Sequence, residues 1–237
     1  MNVSLIPYII LILMGAAWGL SIPLTKITVS TGYGQFGLIF WQFVIAVIVL
    51  GFVLIVRRKR PLFERKTIFL FIVLALLGTI FPNSASYVAT YYLPASFIAI
   101  LIATVPMFSF PIAMLMGLEK KDFRRISGLF IGLIGVVILT GPEASFPDRH
   151  LLIFIPLALL APFFYAIEGN YVDKYGTAGQ DPIQTFTGAS ILGTFLILPV
   201  TISTGQWIDP LQPWPKENYT HVASSCCHAF AYCTYVW

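Results

Sequence analysis

FGLIFWQFVIAVIVLGFVLIV, residues 36–56, runs 21 positions without a charged side chain and stops at Arg57-Arg58-Lys59-Arg60. A helix rises about 1.5 Å per residue, so about 20 apolar residues cross a hydrocarbon layer of about 30 Å. The stretch is therefore read as a membrane-spanning helix closed by a basic loop. Working outward on the same criterion, full spans are expected at 5–29, 67–91, 95–117, 126–141, 151–172 and 183–203. A last apolar stretch begins at residue 222 and is still running at Trp237. The fold class is an all-α integral membrane bundle of seven full spans and a partial eighth.

Composition agrees. The chain is 58% hydrophobic and 10% charged, against about 25% charged in a soluble domain. Too few charges are present to face water all round, so lipid is the expected solvent. The net charge of +4 does not mark a nucleic-acid partner, because the basic residues sit in short clusters between apolar runs rather than along one face. Eleven of the 14 Lys and Arg residues fall in the loops after spans two, four and six, while Lys26, Arg149 and Lys216 fall on the other side. By the positive-inside rule the N-terminus lies in the cytoplasm. The segment holding Trp207, Trp214 and Tyr219, with Pro210, Pro213 and Pro215, is then an outer interfacial stretch. The N-terminal run lacks a basic n-region and is long enough to span, so it reads as an uncleaved first helix. Cys226, Cys227 and Cys233 all lie in the last apolar stretch and form no disulfide framework.

The chain repeats itself weakly. Trp18-Gly19 in span one recurs as Tyr165-Ala166 in span six, and Ala85-Ser86-Tyr87 in span three resembles Ala231-Tyr232. The offsets, 147 and 145 residues, indicate one five-helix unit used twice, 1–141 and then 151–237. Five is odd, so the second copy is inverted, as in many transporters. A full second copy would extend about 50 residues past Trp237 on that period, so the chain is expected to be a truncated product.

The residues also resemble a known family. Trp18-Gly-Leu-Ser-Ile-Pro-Leu-Thr-Lys26 is similar to the first-helix signature of EamA-type proteins in the drug/metabolite transporter superfamily. Tyr91-Tyr92-Leu-Pro94-Ala95-Ser96, Pro106 and Glu119 resemble that family's third-to-fifth helix region. Arg124-Arg125-Ile-Ser-Gly128, followed by Gly132 and Gly135, fits the start of its fifth helix. The resemblance implies ten helices in two inverted repeats and movement of small metabolites or drugs across the cytoplasmic membrane, often outward. Its early end sets this chain apart from that pattern.

Several side chains are candidates for a substrate cavity. Asn83, Tyr87 and Tyr91 recur every fourth residue on span three and share a helical face with a polar amide, which lipid cannot satisfy. Trp18 of span one and Trp41-Gln42 of span two are expected to meet that face, giving aromatic walls with a few hydrogen-bonding groups. Glu168 is the acidic residue inside a predicted span, and Tyr165 and Asn170 are expected to share its lining. Ionisation of such a carboxylate responds to desolvation, so it can couple transport to protons. The simpler reading is that Glu168, with Asp173 and Lys174, marks a helix end. Lys26 lies within a turn of the outer end of span one, where it can snorkel; the family signature implies instead a lysine facing the path. Pro23, Pro82, Pro106, Pro111 and Pro162 each free a backbone carbonyl inside a span, which fits helices broken around a cavity as well as simple kinks.

Gly15, Gly19, Gly128, Gly132 and Gly135 are read as packing glycines that let helices approach, within one bundle or across a homodimer. No cofactor or metal site is expected. Cys226-Cys227-His228 with Cys233 has the wrong spacing for zinc, and the constellations of an intramembrane protease are missing. The partners are lipid and a small-molecule substrate. Two alternatives stand beside transport: a membrane fragment or partner subunit with no transport of its own, and, less favoured, an intramembrane enzyme.

Overall fold

A computed structural model describes residues 6–139 and 153–209 of the chain. The residues about 210–237, which hold the last apolar stretch, its cysteines and His228, lie outside the described residues, as do Gly141, Arg149, Trp214 and Lys216. The described chain is helical: α1 (Ile6–Val29), α2 (Gln35–Val56), α3 (Arg65–Ala75), a π-helical turn (Leu76–Ile80), α4 (Phe81–Tyr92), α5 (Ala95–Ile102), α6 (Val105–Leu115), α7 (Phe123–Leu139), α8 (Ile155–Tyr175) and α9 (Pro182–Ser203). Among the described residues five helices are long and apolar enough to cross a membrane: Gln35–Val56, Arg65–Tyr92, Ala95–Leu115, Ile155–Tyr175 and Pro182–Ser203.

Prolines decide where these helices bend. Pro82 has no N–H to give the carbonyl four residues back, that of Gly78, and the ladder widens into the π turn that contains Gly78. Pro106 does the same to Ile102, the last residue of α5. What reads as one span over 95–117 is thus two helical segments. Pro94 holds Leu93 extended (φ −93°, ψ 150°) and makes the turn between α4 and α5.

The helices fall into two compact units. The first comprises α1, α2, α3 and α9. α2 and α9 run antiparallel: the start of α2 meets the end of α9 where the Thr201 hydroxyl donates to the Phe36 carbonyl, and the end of α2 meets the start of α9 around Asp181. Ala46, Leu50 and Leu54 of α2 bury themselves against Ile183. α9 carries the glycines that permit this approach. A Cβ on Gly193 would lie 2.4 Å from the Phe43 ring, and one on Gly188 2.4 Å from the Phe71 ring.

The second unit spans Leu76–Gly176 and is built around α8. α4 runs antiparallel to α8, with Phe81 against Phe164 (5.4 Å between rings) at one level and Tyr92 stacked on Phe154 (4.0 Å) at another. α6 runs parallel to α8, joined by Asn170 to Ser109 and by Lys174 to the Met116 carbonyl. α6 and α8 end in residues that stop a helix, Gly117 (φ 75°) and Gly176 (φ 70°), both left-handed.

The glycines expected to pack differ in their surroundings. A Cβ on Gly15, Gly19, Gly128 or Gly135 would meet no described atom within 4 Å, and one on Gly132 would meet only Met107. Spacing alone marks a small-residue stripe but does not say whether a neighbour lies over it; closer approaches stand at Gly34, Gly37, Gly188 and Gly193.

Candidate functional site

The π turn sets up a polar cluster in the second unit. α4 begins directly after it, and Asn83 and Tyr87, one turn apart, are both buried. Across from them the Tyr165 hydroxyl of α8 donates to Asn83 Oδ1 at 3.1 Å. Tyr165 is within electrostatic reach of Tyr87 and of Glu168. Glu168, one turn further along α8 and half-buried, lays its carboxyl over Gly78: a Cβ there would stand 3.1 Å from its Oε1. A carboxylate, two phenols and an amide are thus gathered inside two apolar spans. Unpaired, such groups cost about 1–3 kcal/mol each in a protein interior, which is why they converge.

Two expected members are elsewhere. Asn170 does not join Glu168, because residues two apart on a helix point to different sides. Its Nδ2 instead donates to the Ser109 carbonyl (3.0 Å), the Ser109 hydroxyl (2.9 Å) and the Ala166 carbonyl (2.7 Å). Tyr91 leaves the face of Asn83 and Tyr87: a four-residue step overshoots a 3.6-residue turn by about 40°, and two steps carry it to the surface, where it is 49% exposed and edge-on to Tyr92.

Trp18, Lys26, Trp41 and Gln42 belong to the first unit. Trp41 donates its indole N–H to the Ile208 carbonyl at 3.0 Å and lies 6.3 Å from Trp207. Gln42 is buried; Trp18 and Lys26 are half-buried on α1. Pro106, by contrast, lines a cavity of about 630 Å³ in the second unit, together with Ser109, Phe110, Gly128, Asn170 and Asp173. Sequence reading misses Gly78 and Ser109, and takes Asp173 only as a marker of the helix end. Gly78 has a signal, its place four residues before Pro82; the placing of the other two emerges only when α6 and α8 are paired.

A chain of apolar spans that bury a carboxylate and its hydrogen-bonding neighbours is a multi-pass membrane protein. It belongs to the EamA-like transporter family, whose model matches residues 5–141, more than half of the chain. Comparison with curated proteins finds no match. The matched region includes Asn83, Tyr87 and Pro106 and stops before Tyr165, Glu168 and Asn170. The family points to a transporter of small molecules rather than to an enzyme.

Proposed function

We propose that the chain exports a small metabolite or drug across the cytoplasmic membrane by alternating access between two inverted five-helix repeats, 1–141 and 151–237, with its N-terminus in the cytoplasm. The observation that carries this reading is the Tyr165–Asn83 hydrogen bond with Glu168 beside it over Gly78. Polar groups are expensive inside apolar spans and collect where a path needs them. In this reading Asn83 and the two phenols meet the polar part of the substrate, and Glu168 takes and returns a proton during the cycle. The π turn is the hinge, since widened turns of this kind recur at functional sites. Trp18, Lys26, Trp41 and Gln42 stay candidates for the aromatic and polar wall.

Retention of labelled amino acids, nucleosides and amine drugs in cells expressing the chain tests the proposal. Wild type should lower retention of at least one compound relative to empty vector. Glu168→Gln should remove its pH dependence, and Asn83→Leu should abolish it at equal protein level. Retention equal to the empty vector across the panel would overturn the reading.

A further inference from the structure

The open cavity lined by α6, α7 and α8 takes no part in the Asn83–Tyr165–Glu168 cluster and has a chemistry of its own. Its volume of about 630 Å³ suits a small organic molecule, for which roughly 300–1,000 Å³ is usual. Pro106, Phe110, Ala113 and Leu129 give it apolar walls. Asn170, 3% exposed, lines it; its amide N–H groups are taken by Ser109 and Ala166, and its Oδ1 accepts no hydrogen bond among the described residues. Asp173, three residues along the same face of α8, stands at the exposed rim. Glu119 and Arg125 also line the cavity but neutralise each other in an ion pair. Lys174, beside Asp173, gives its ammonium to the Met116 carbonyl.

The lining therefore presents a buried acceptor and an uncompensated negative charge above apolar walls. A fitting molecule supplies N–H donors, a positive charge and a hydrophobic body. We propose that this cavity is a binding site for organic ammonium ions carrying an aromatic or aliphatic group. The proposal does not rest on transport, since binding is read on purified protein.

Calorimetric titration of the full chain in detergent, with tryptamine as probe, tests it. Tryptophol (neutral) and indole-3-propionate (anionic) keep the indole and change only the charged end. Tryptamine should bind, and tryptophol should bind about two- to fivefold more weakly, the scale of one exposed charge pair. Asp173→Asn should weaken tryptamine by a similar factor, about two- to fivefold, and remove its salt dependence. Gly128→Leu is the steric test: Gly128 lines the cavity and an added Cβ there meets nothing within 4 Å, so the larger side chain starts into open space. That variant should keep its thermal stability and lose tryptamine binding. No tryptamine binding to wild type, binding of the anion as strong as that of the amine, or unchanged affinity in Gly128→Leu would each overturn the proposal.

Discussion

At the scale of single residues, glycine separates what spacing shows from what packing decides. Gly128, Gly132 and Gly135 look like an approach motif in the sequence, yet of the three Gly132 alone has a described neighbour, Met107 at 3.2 Å, whereas bulky rings lie over Gly188 and Gly193. The reason is physical: a glycine matters when the opposing group is large and cannot move. Phe43 and Phe71, 2% and 0% exposed, are such groups, and nothing in the sequence pairs them with α9. Gly193→Ala should therefore lower the thermal unfolding temperature in detergent, by the overpacking cost of about 1–3 kcal/mol. Gly135→Ala, with open space around its Cβ, should leave it unchanged or raise it, since alanine favours a helix interior by about 0.5–1 kcal/mol. Equal effects of the two substitutions would contradict the packing described. The polar candidates are more legible: Asn83, Tyr87, Tyr165 and Glu168 stand out because each is costly in lipid, whereas Asn170, two residues from Glu168, faces another side of α8, and Tyr91 drifts off the Asn83 face because a four-residue step exceeds a full turn.

Among elements, the start of α9 shows how a loop is pinned. Asp181 accepts the Ile183 N–H, and Gln184 reaches back to the Asp181 N–H, a reciprocal cap that satisfies donors the helix cannot. The same carboxylate pairs with Lys59 at 2.8 Å and Arg57 at 3.8 Å, and Gln180 exchanges two hydrogen bonds with Leu62. Lys59, foremost, holds the Asp181 carboxyl below its ordinary value of 3.8. A folded value below the unfolded one means the stabilisation is complete above the unfolded value and is lost as pH falls through the folded one. With the intrinsic pH dependence of amide exchange divided out, protection in residues 57–64 should thus hold from neutral pH down to about 4 and fall below it. Asp181→Asn keeps a cap acceptor and drops the charge, which costs under about 1 kcal/mol for so exposed a pair. Asp181→Ala drops both and costs about 1 kcal/mol more. If protection in residues 57–64 of Asp181→Ala still changed across that window as in wild type, another group would be responsible. The Asp-Pro-x-Gln start of α9 can be read from sequence; its hold on a loop more than a hundred residues earlier cannot.

For the molecule as a whole, span lengths were legible because lipid imposes them, and the five long helices fall close to the expected 36–56, 67–91, 95–117, 151–172 and 183–203. α7, at 17 residues, is shorter than these, and we propose that it crosses as well. α6 and α8 run parallel, so the chain returns between them, and among the described residues α7 is the helix there. The clamp of Lys59 and Leu62 on Asp181 and Gln180 favours the same proposal: loops that meet call for an even number of crossings between them, and among the described residues Arg65–Tyr92, Ala95–Leu115 and Ile155–Tyr175 make three. The side chains agree, with Phe130, Ile131, Ile134 and Ile138 at 63%, 69%, 58% and 72% exposed, a surface suited to lipid and not to water. The prediction is that single cysteines in place of Lys59, Lys121 and Thr177, in a chain whose own cysteines are serine, share one side, and those replacing Thr31, Ile153 and Thr204 share the other. With the basic loops cytoplasmic, only the second set should react with an impermeant maleimide on intact cells. The mirror-image pattern would reverse the orientation and leave the crossings intact. Labelling of Ile153→Cys together with Lys121→Cys would mean that α7 does not cross, and the inverted arrangement of two five-helix repeats would fall with it.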